Sequence, residues 1–119
     1  MSRSSHWEEV RAVVEQSRQD AAAYDPDGGD PDVCIERGVR PIVSLYVRAH
    51  RNGESLSDVE RSLLSSLLND WLSLYAQAQS DHLDADFTVH EVATAYVEST
   101  SLRGAVRDLT NLPSRRPQD

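Results

Sequence analysis

Two short stretches of the chain concentrate side chains that could bind a metal ion. The first, DPDGGDPD at residues 25–32, has four carboxylates and two glycines in eight positions. Counted as a calcium-binding EF-hand loop, it has acidic residues at the first, third and twelfth places, the last being Glu36. The fifth place requires a ligand and the sixth requires glycine, but these are Gly29 and Asp30. We therefore interpret residues 25–32 as a flexible hinge between helices.

The second stretch, DHLDADFTVHE at residues 81–91, contains histidine and carboxylate ligands of the kinds that divalent metals bind. The pair His90–Glu91 begins like a zinc-protease helix, but Thr94 occupies the place where a second histidine would share a face with the first. A simpler role for the aspartates is to put negative charge before a helix N-terminus, where the helix dipole favours it. We predict no metal centre here. The candidate ligands are His82, Asp84, Asp86 and His90.

Motifs for nucleophilic catalysis or phosphate binding do not occur in the chain. There is no G-x-S-x-G sequence, and no glycine-rich loop follows a predicted strand. Cys34 has no recognisable catalytic partner, and His6 and His50 are isolated in the sequence. We therefore predict a protein that is not an enzyme and binds no cofactor, with both histidines on the surface or partly buried.

The charge of the chain is strongly acidic and its basic residues are of one type. Twelve arginines and no lysine stand against twenty acidic residues, which gives a formal net charge of -8. An acidic surface keeps a protein soluble in concentrated salt, so the composition suits a salt-accumulating host. A GC-rich genome alone also favours arginine codons over lysine codons. A halophilic host and an ordinary GC-rich host both explain this composition, and the two interpretations remain open.

Cysteine usage and hydropathy predict a cytoplasmic location. Cys34 is the single cysteine, so no disulfide can form within the chain and no cysteine cluster can bind zinc. The first ten residues lack the apolar segment of a secretory signal, and the most apolar stretch, at 62–80, is interrupted by amides, serines and an aspartate. We expect neither export nor a membrane span.

Capping chemistry and apolar periodicity predict an all-α fold. Three Ser or Thr residues precede a glutamate by three positions, which is the pattern of a capping box. They are Ser5 with Glu8, Ser57 with Glu60, and Thr88 with Glu91. The expected segments are a helix at about 6–23, a short helical or extended piece at 33–38, and helices at about 41–51, 58–79 and from 89 onward. We predict one compact helical bundle at residues 1–112, with four main helices and a short fifth, followed by a loose tail at 113–119.

The helix predicted at 58–79 is the expected centre of the bundle. Its apolar residues cover an arc of roughly 180°, wider than the stripe of a simple surface helix, so more than one partner must cover it. Its other face is small and uncharged and is either a second contact surface or a solvated serine face. A homodimer is a reasonable expectation. The interface candidates are Leu64, Leu68, Trp71, Leu72 and Tyr75.

The last helical region contains two apolar faces that one straight helix cannot bury together. Apolar residues at 89–96 and at 102–109 lie about 140° apart on one helical wheel, which predicts a break at 99–101 with Ser101 as the new cap. The resulting helix, tight turn and helix are similar to a helix-turn-helix DNA-binding motif, in which the second helix exposes arginines to phosphate groups. Val97 stands where such motifs usually have glycine at the turn, and a packing helix with solvated arginines is the simpler interpretation. The DNA-contact candidates are Arg103, Arg107, Arg115 and Arg116.

Three functions follow from these features as hypotheses. The leading one is a small, non-enzymatic cytoplasmic protein that acts through protein contacts, either with a partner or with a second copy. The first alternative is a DNA-binding regulator that uses residues 89–110. The second is a metal-dependent enzyme or metal carrier built on residues 82–91.

Overall fold

The computed structural model describes residues 6–53, 56–81, 83, 85–99 and 101–110. Throughout these ranges the regular structure is helical, with no β-strand, so the predicted all-α fold is confirmed. The tail at 113–119 lies outside the described residues. The elements are α1 (Trp7–Ala23), α2 (Pro31–Val33), a π-helical segment (Cys34–Val39), α3 (Arg40–Arg51), α4 (Asp58–Gln77), α5 (Val89–Glu98) and α6 (Leu102–Thr110).

Local capping chemistry sets the starts of α4 and α5. The Ser57 hydroxyl accepts a hydrogen bond from the Glu60 N–H at 3.2 Å, and the Glu60 carboxylate accepts one from the Ser57 N–H at 2.7 Å. Thr88 and Glu91 form the same reciprocal pair at 3.1 and 2.8 Å. Both predicted capping boxes are therefore confirmed. The predicted cap at residue 5 lies outside the described residues, and α1 follows His6, which makes no side-chain capping bond.

The segment from α2 to α3 is one continuous helix, which corrects the interruption expected near residues 38–41. Pro41 has no N–H, and its ring crowds the carbonyl four residues earlier, so a regular α-helix is unfavourable there. A wider π turn before the proline accommodates it, and the Arg40 N–H accordingly bonds the Ile35 carbonyl five residues back. Gly38 lies in this turn directly against Trp71, where an added Cβ would be 2.1 Å from the indole Cδ2 atom.

The predicted hinge is shorter in the structure because α2 already begins at Pro31. Asp30 caps α2 by accepting a hydrogen bond from the Asp32 N–H at 2.9 Å. The Asp25 carboxylate accepts the Asp27 N–H at 3.0 Å, and the Asp25 carbonyl accepts a further bond from the glycine at 29. Backbone donors therefore occupy the carboxylates of Asp25 and Asp30. The Glu36 carboxylate, at the twelfth place of the calcium-loop pattern, instead pairs with Arg40 at 2.7 Å.

The core surrounds α4, which packs against α1, the π-helical segment and α5. The five residues predicted as an interface have exposures of 1% or less within the single chain. They are Leu64, Leu68, Trp71, Leu72 and Tyr75. This corrects the predicted interface, because side chains buried in one chain cannot contact a second one. The wide apolar arc is covered by the chain's own helices.

The polar face of α4 also contacts the chain itself. The Asn69 side-chain amide donates to the Phe87 carbonyl at 2.9 Å and accepts from the Phe87 N–H at 2.9 Å. The Ser65 hydroxyl accepts a hydrogen bond from the Val89 N–H at 2.9 Å. These bonds hold the segment before α5 against α4, so this part of the face positions α5.

Candidate functional site

A groove of about 340 Å³ lies between α3 and α5. Both helices bury one side in the core, and the groove forms where their outer sides meet. The residues that line it come from the last two turns of α3 and from the whole length of α5. They are Tyr46, Val47, His50, Arg51, His90, Ala93, Thr94, Val97 and Glu98.

Three rings are in contact at one end of the groove. The Tyr46 hydroxyl lies 2.7 Å from the Nδ1 atom of His90, within hydrogen-bond distance. The two rings meet edge to face, with centroids 5.8 Å apart and an interplanar angle of 75°. His50, one helical turn after Tyr46, lies nearly parallel to the tyrosine ring at 10° and 6.2 Å. This ring cluster offers flat apolar faces together with polar ring atoms.

The floor and rim of the groove are apolar. Ala93 is buried and Val47 is half-buried, so they form the floor. Val97 forms the rim and is 67% exposed. Among the large hydrophobic residues of the described ranges, Val97 and Val59 are the two exposed ones. The groove therefore combines apolar and aromatic surface, and aromatic residues are enriched at protein interfaces.

Opposite charges lie at the two ends of the groove. Tyr46, in the second half of α3, contacts His90 at the start of α5. Arg40, at the start of α3, interacts with Tyr96 near the end of α5. The helices α3 and α5 therefore run antiparallel. Arg51 therefore lies beyond the ring cluster in one direction and Glu98 lies beyond it in the other. With a helical rise of 1.5 Å per residue, their Cα atoms are on the order of 20 Å apart.

A second cleft, of about 560 Å³, continues from the ring cluster towards α4. Arg61 is its basic residue, and it forms an ion pair with Asp58. The backbone donors at the start of α5 are bonded to Ser65 and Thr88. A ligand in this cleft would have to displace these internal partners, so the α3–α5 groove is the better site.

The residues predicted as metal ligands are only partly described. His82 and Asp84 lie outside the described residues. Asp86 is exposed, and His90 is bonded through Nδ1 to Tyr46. In the ranges that the structure describes, no three His, Cys, Asp or Glu side chains come together as metal ligands do.

The two helices predicted as a helix-turn-helix, α5 and α6, pack against each other. Ser101 caps α6 by accepting a hydrogen bond from the Gly104 N–H at 3.0 Å, so the predicted break before α6 is confirmed. Arg103 and Arg107 are exposed on α6. Arg103 forms an ion pair with Asp32 at 3.0 Å, and an aspartate follows Arg107. The other two candidates, Arg115 and Arg116, lie outside the described residues.

Cys34 is buried in the core beneath the loop that precedes α2. Burial raises the pKa of its thiol to about 11, because the thiolate would lose its solvation. The thiol is therefore protonated at neutral pH and unreactive. No helix in the described parts of the chain is both long and apolar enough to cross a membrane.

The model of one protein family, described as a domain of unknown function (DUF8055), matches residues 4–114. The chain belongs to this family. Searches of the curated proteins and of the solved structures found no match. The DUF8055 match covers every helix described above, so the family shares the region that contains the groove.

Sequence reasoning missed the groove as a site. His50 was expected to be isolated, and Tyr46 was not considered. The four-residue spacing of Tyr46 and His50 is the local signal that places them on one face of a helix. The contact of Tyr46 with His90 joins residues 44 positions apart, and no local pattern predicts it.

Proposed function

We propose that this protein is a small, non-enzymatic module that acts through protein–protein contacts, and that the α3–α5 groove is its contact surface. The observation that carries the proposal is that one groove combines the exposed side chain of Val97, an apolar floor and the stacked rings of Tyr46 and His50. Aromatic residues and arginine are enriched at protein interfaces, and burial of an exposed apolar rim favours association.

A cytoplasmic location is part of this proposal. It is supported by the single cysteine, whose buried thiol suits a reducing compartment. The acidic surface also suits either a salt-accumulating or a GC-rich host. Unfolding curves measured over a KCl series distinguish the two kinds of host, because a halophilic protein gains stability as KCl rises towards molar concentrations.

Site-specific cross-linking in the native host tests the proposed contact surface. A photoreactive amino acid at position 97 should give a protein adduct on irradiation. The same amino acid at position 15, exposed on α1 and remote from the groove, is the matched control and should give none. The proposal is wrong if position 97 forms no adduct beyond the level of position 15.

DNA binding through α5 and α6 is the second candidate function. The observation that favours it is the tight break at Ser101, which leaves Arg103 and Arg107 on the exposed side of α6. It ranks second because Arg103 already pairs with Asp32, and carboxylates beside a DNA-binding surface repel phosphate.

Fluorescence anisotropy of a labelled duplex over a KCl series tests this candidate. Binding through phosphate contacts should weaken as KCl rises and should be lost in Arg103→Ala/Arg107→Ala. The variant Arg11→Ala/Arg18→Ala removes two exposed arginines from α1 and is the control. Equal loss in both variants would show nonspecific attraction and would reject α6 as the binding element.

A further inference from the structure

We infer that the partner of the α3–α5 groove is a second copy of this chain, bound about a two-fold axis that pairs Arg51 of each copy with Glu98 of the other. This inference rests on the proposed function and specifies its partner. The groove would then form an isologous interface, in which both copies use the same self-complementary surface.

Charge complementarity along the groove is the first support. Arg51 and Glu98 are both exposed, and neither forms an ion pair within the described part of the chain. They lie at opposite ends of the groove because α3 and α5 are antiparallel. A two-fold axis through the middle of the groove therefore places each arginine opposite the partner's glutamate. An unrelated partner would require its own matching pair of charges, whereas a second copy already has it.

The apolar and aromatic residues of the groove are the second support. A two-fold axis midway between Arg51 and Glu98 passes closest to Tyr46 and places the exposed Val97 of each copy opposite His50 of the other. Burial of apolar and aromatic surface from both copies supplies the attraction, and the charged pairs fix the register. Neither contact requires a change in the fold of the chain.

The net charge of the chain leads to a prediction about how dimerisation depends on salt concentration. Each copy has a formal charge of -8, so the copies repel each other at low ionic strength. Salt screens this long-range repulsion, whereas the apolar contact is retained. We expect dimerisation to strengthen between low salt and about 0.3 M KCl, in contrast to DNA binding, which weakens with salt.

Charge reversal and mixing test the two-fold pairing. Arg51→Glu and Glu98→Arg each bring like charges together at both ends of the interface. Each should weaken dimerisation roughly 10- to 100-fold in sedimentation equilibrium at 0.3 M KCl. The double variant R51E/E98R should dimerise like the unmodified chain. A mixture of the two single variants should form heterodimers, because the mixed pair restores both opposite-charge contacts.

Matched controls separate this pairing from effects of net charge. Arg18→Glu and Glu15→Arg make the same charge changes on exposed positions of α1 and should leave dimerisation within about twofold of the unmodified chain. The inference is overturned if the unmodified chain stays monomeric at every concentration of protein and salt. It is also overturned if Arg51→Glu and Glu98→Arg each dimerise like the unmodified chain, or if a mixture of these two variants remains monomeric.

The cross-linking experiment at position 97 distinguishes the failure of this inference from the failure of the proposed function. An adduct of twice the chain mass of 13.3 kDa identifies a second copy. An adduct of another mass with no dimer overturns the second-copy inference and retains the contact surface. No adduct at all overturns both.

Discussion

Substitution of Gly38 by alanine should destabilise the protein because the π-helical segment lies directly against Trp71. A Cβ atom at this position would lie 2.1 and 2.3 Å from the Cδ2 and Cγ atoms of the indole, far below a normal carbon contact of about 3.5–4.0 Å. The indole has no space to move, since Trp71 is fully buried and its Nε1–H donates to the Ser17 hydroxyl at 2.6 Å.

The magnitude follows from three contributions. Overpacking costs about 1–3 kcal/mol, and rotating the indole away from Ser17 would leave a buried N–H unsatisfied at about 1–3 kcal/mol. The higher helix propensity of alanine offsets at most about 1 kcal/mol. We expect Gly38→Ala to lower the free energy of unfolding by about 3 kcal/mol, a large fraction of the total stability of a small domain.

Urea denaturation followed by circular dichroism measures this change. With an m-value of about 1–3 kcal/mol/M, the midpoint should fall by at least about 1 M. Gly28→Ala is the matched control, because the nearest atom to its Cβ is at an ordinary 3.7 Å. A Trp71→Leu background should reduce the cost of Gly38→Ala. The reasoning is refuted if Gly38→Ala and Gly28→Ala have the same stability.

Three further predictions concern other parts of the fold. Asn69→Ala removes both hydrogen bonds to Phe87 and should cost about 2 kcal/mol, with faster hydrogen exchange at the Phe87 amide. Cys34 should resist thiol reagents at pH 8 until the protein unfolds, because burial raises its pKa to about 11. His6 and Arg48 lower the pKa of the Glu9 carboxyl. Glu9→Gln should therefore cost less than about 1 kcal/mol at pH 7, and this difference should be lost below the ordinary carboxyl pKa of 4.5, as Glu9 becomes protonated.

Each of these predictions has a result that contradicts it. Unchanged exchange at Phe87 in Asn69→Ala would show that α4 does not hold the segment before α5. Rapid labelling of Cys34 in the native state would contradict its burial. For Glu9, a depressed pKa gives stability above the ordinary value of 4.5 that disappears on protonation. The prediction is contradicted if the loss in free energy of unfolding caused by Glu9→Gln becomes larger towards low pH.

Local sequence signals predicted most helix boundaries and missed the contacts between distant segments. Ser57, Thr88 and Ser101 cap helices through neighbours three residues away, so their effect is visible in the sequence. Gly38 and Pro41 appeared to interrupt a helix. Their actual role depends on Trp71, which is 33 positions further along the chain, and on a π turn that no periodicity indicates.

The site was less predictable than the fold for the same reason. A wide apolar arc on α4 indicates that several partners cover it, but does not tell whether those partners are helices of the same chain or of another. The chain's own α1, π-helical segment and α5 cover it. The groove instead combines residues of α3 and α5, and α5 is positioned by the bonds of Asn69 and Ser65 to residues 87 and 89.

The mass of the purified chain in solution tests the second-copy interface most directly. Sedimentation equilibrium at 0.3 M KCl over a concentration series from about 1 to 500 µM should give a mass that rises from 13.3 kDa towards twice that value. The rise should be absent in Val97→Asp, which puts a charge at the apolar rim of the groove and leaves the core untouched. A constant mass of 13.3 kDa over the whole series would contradict the claim.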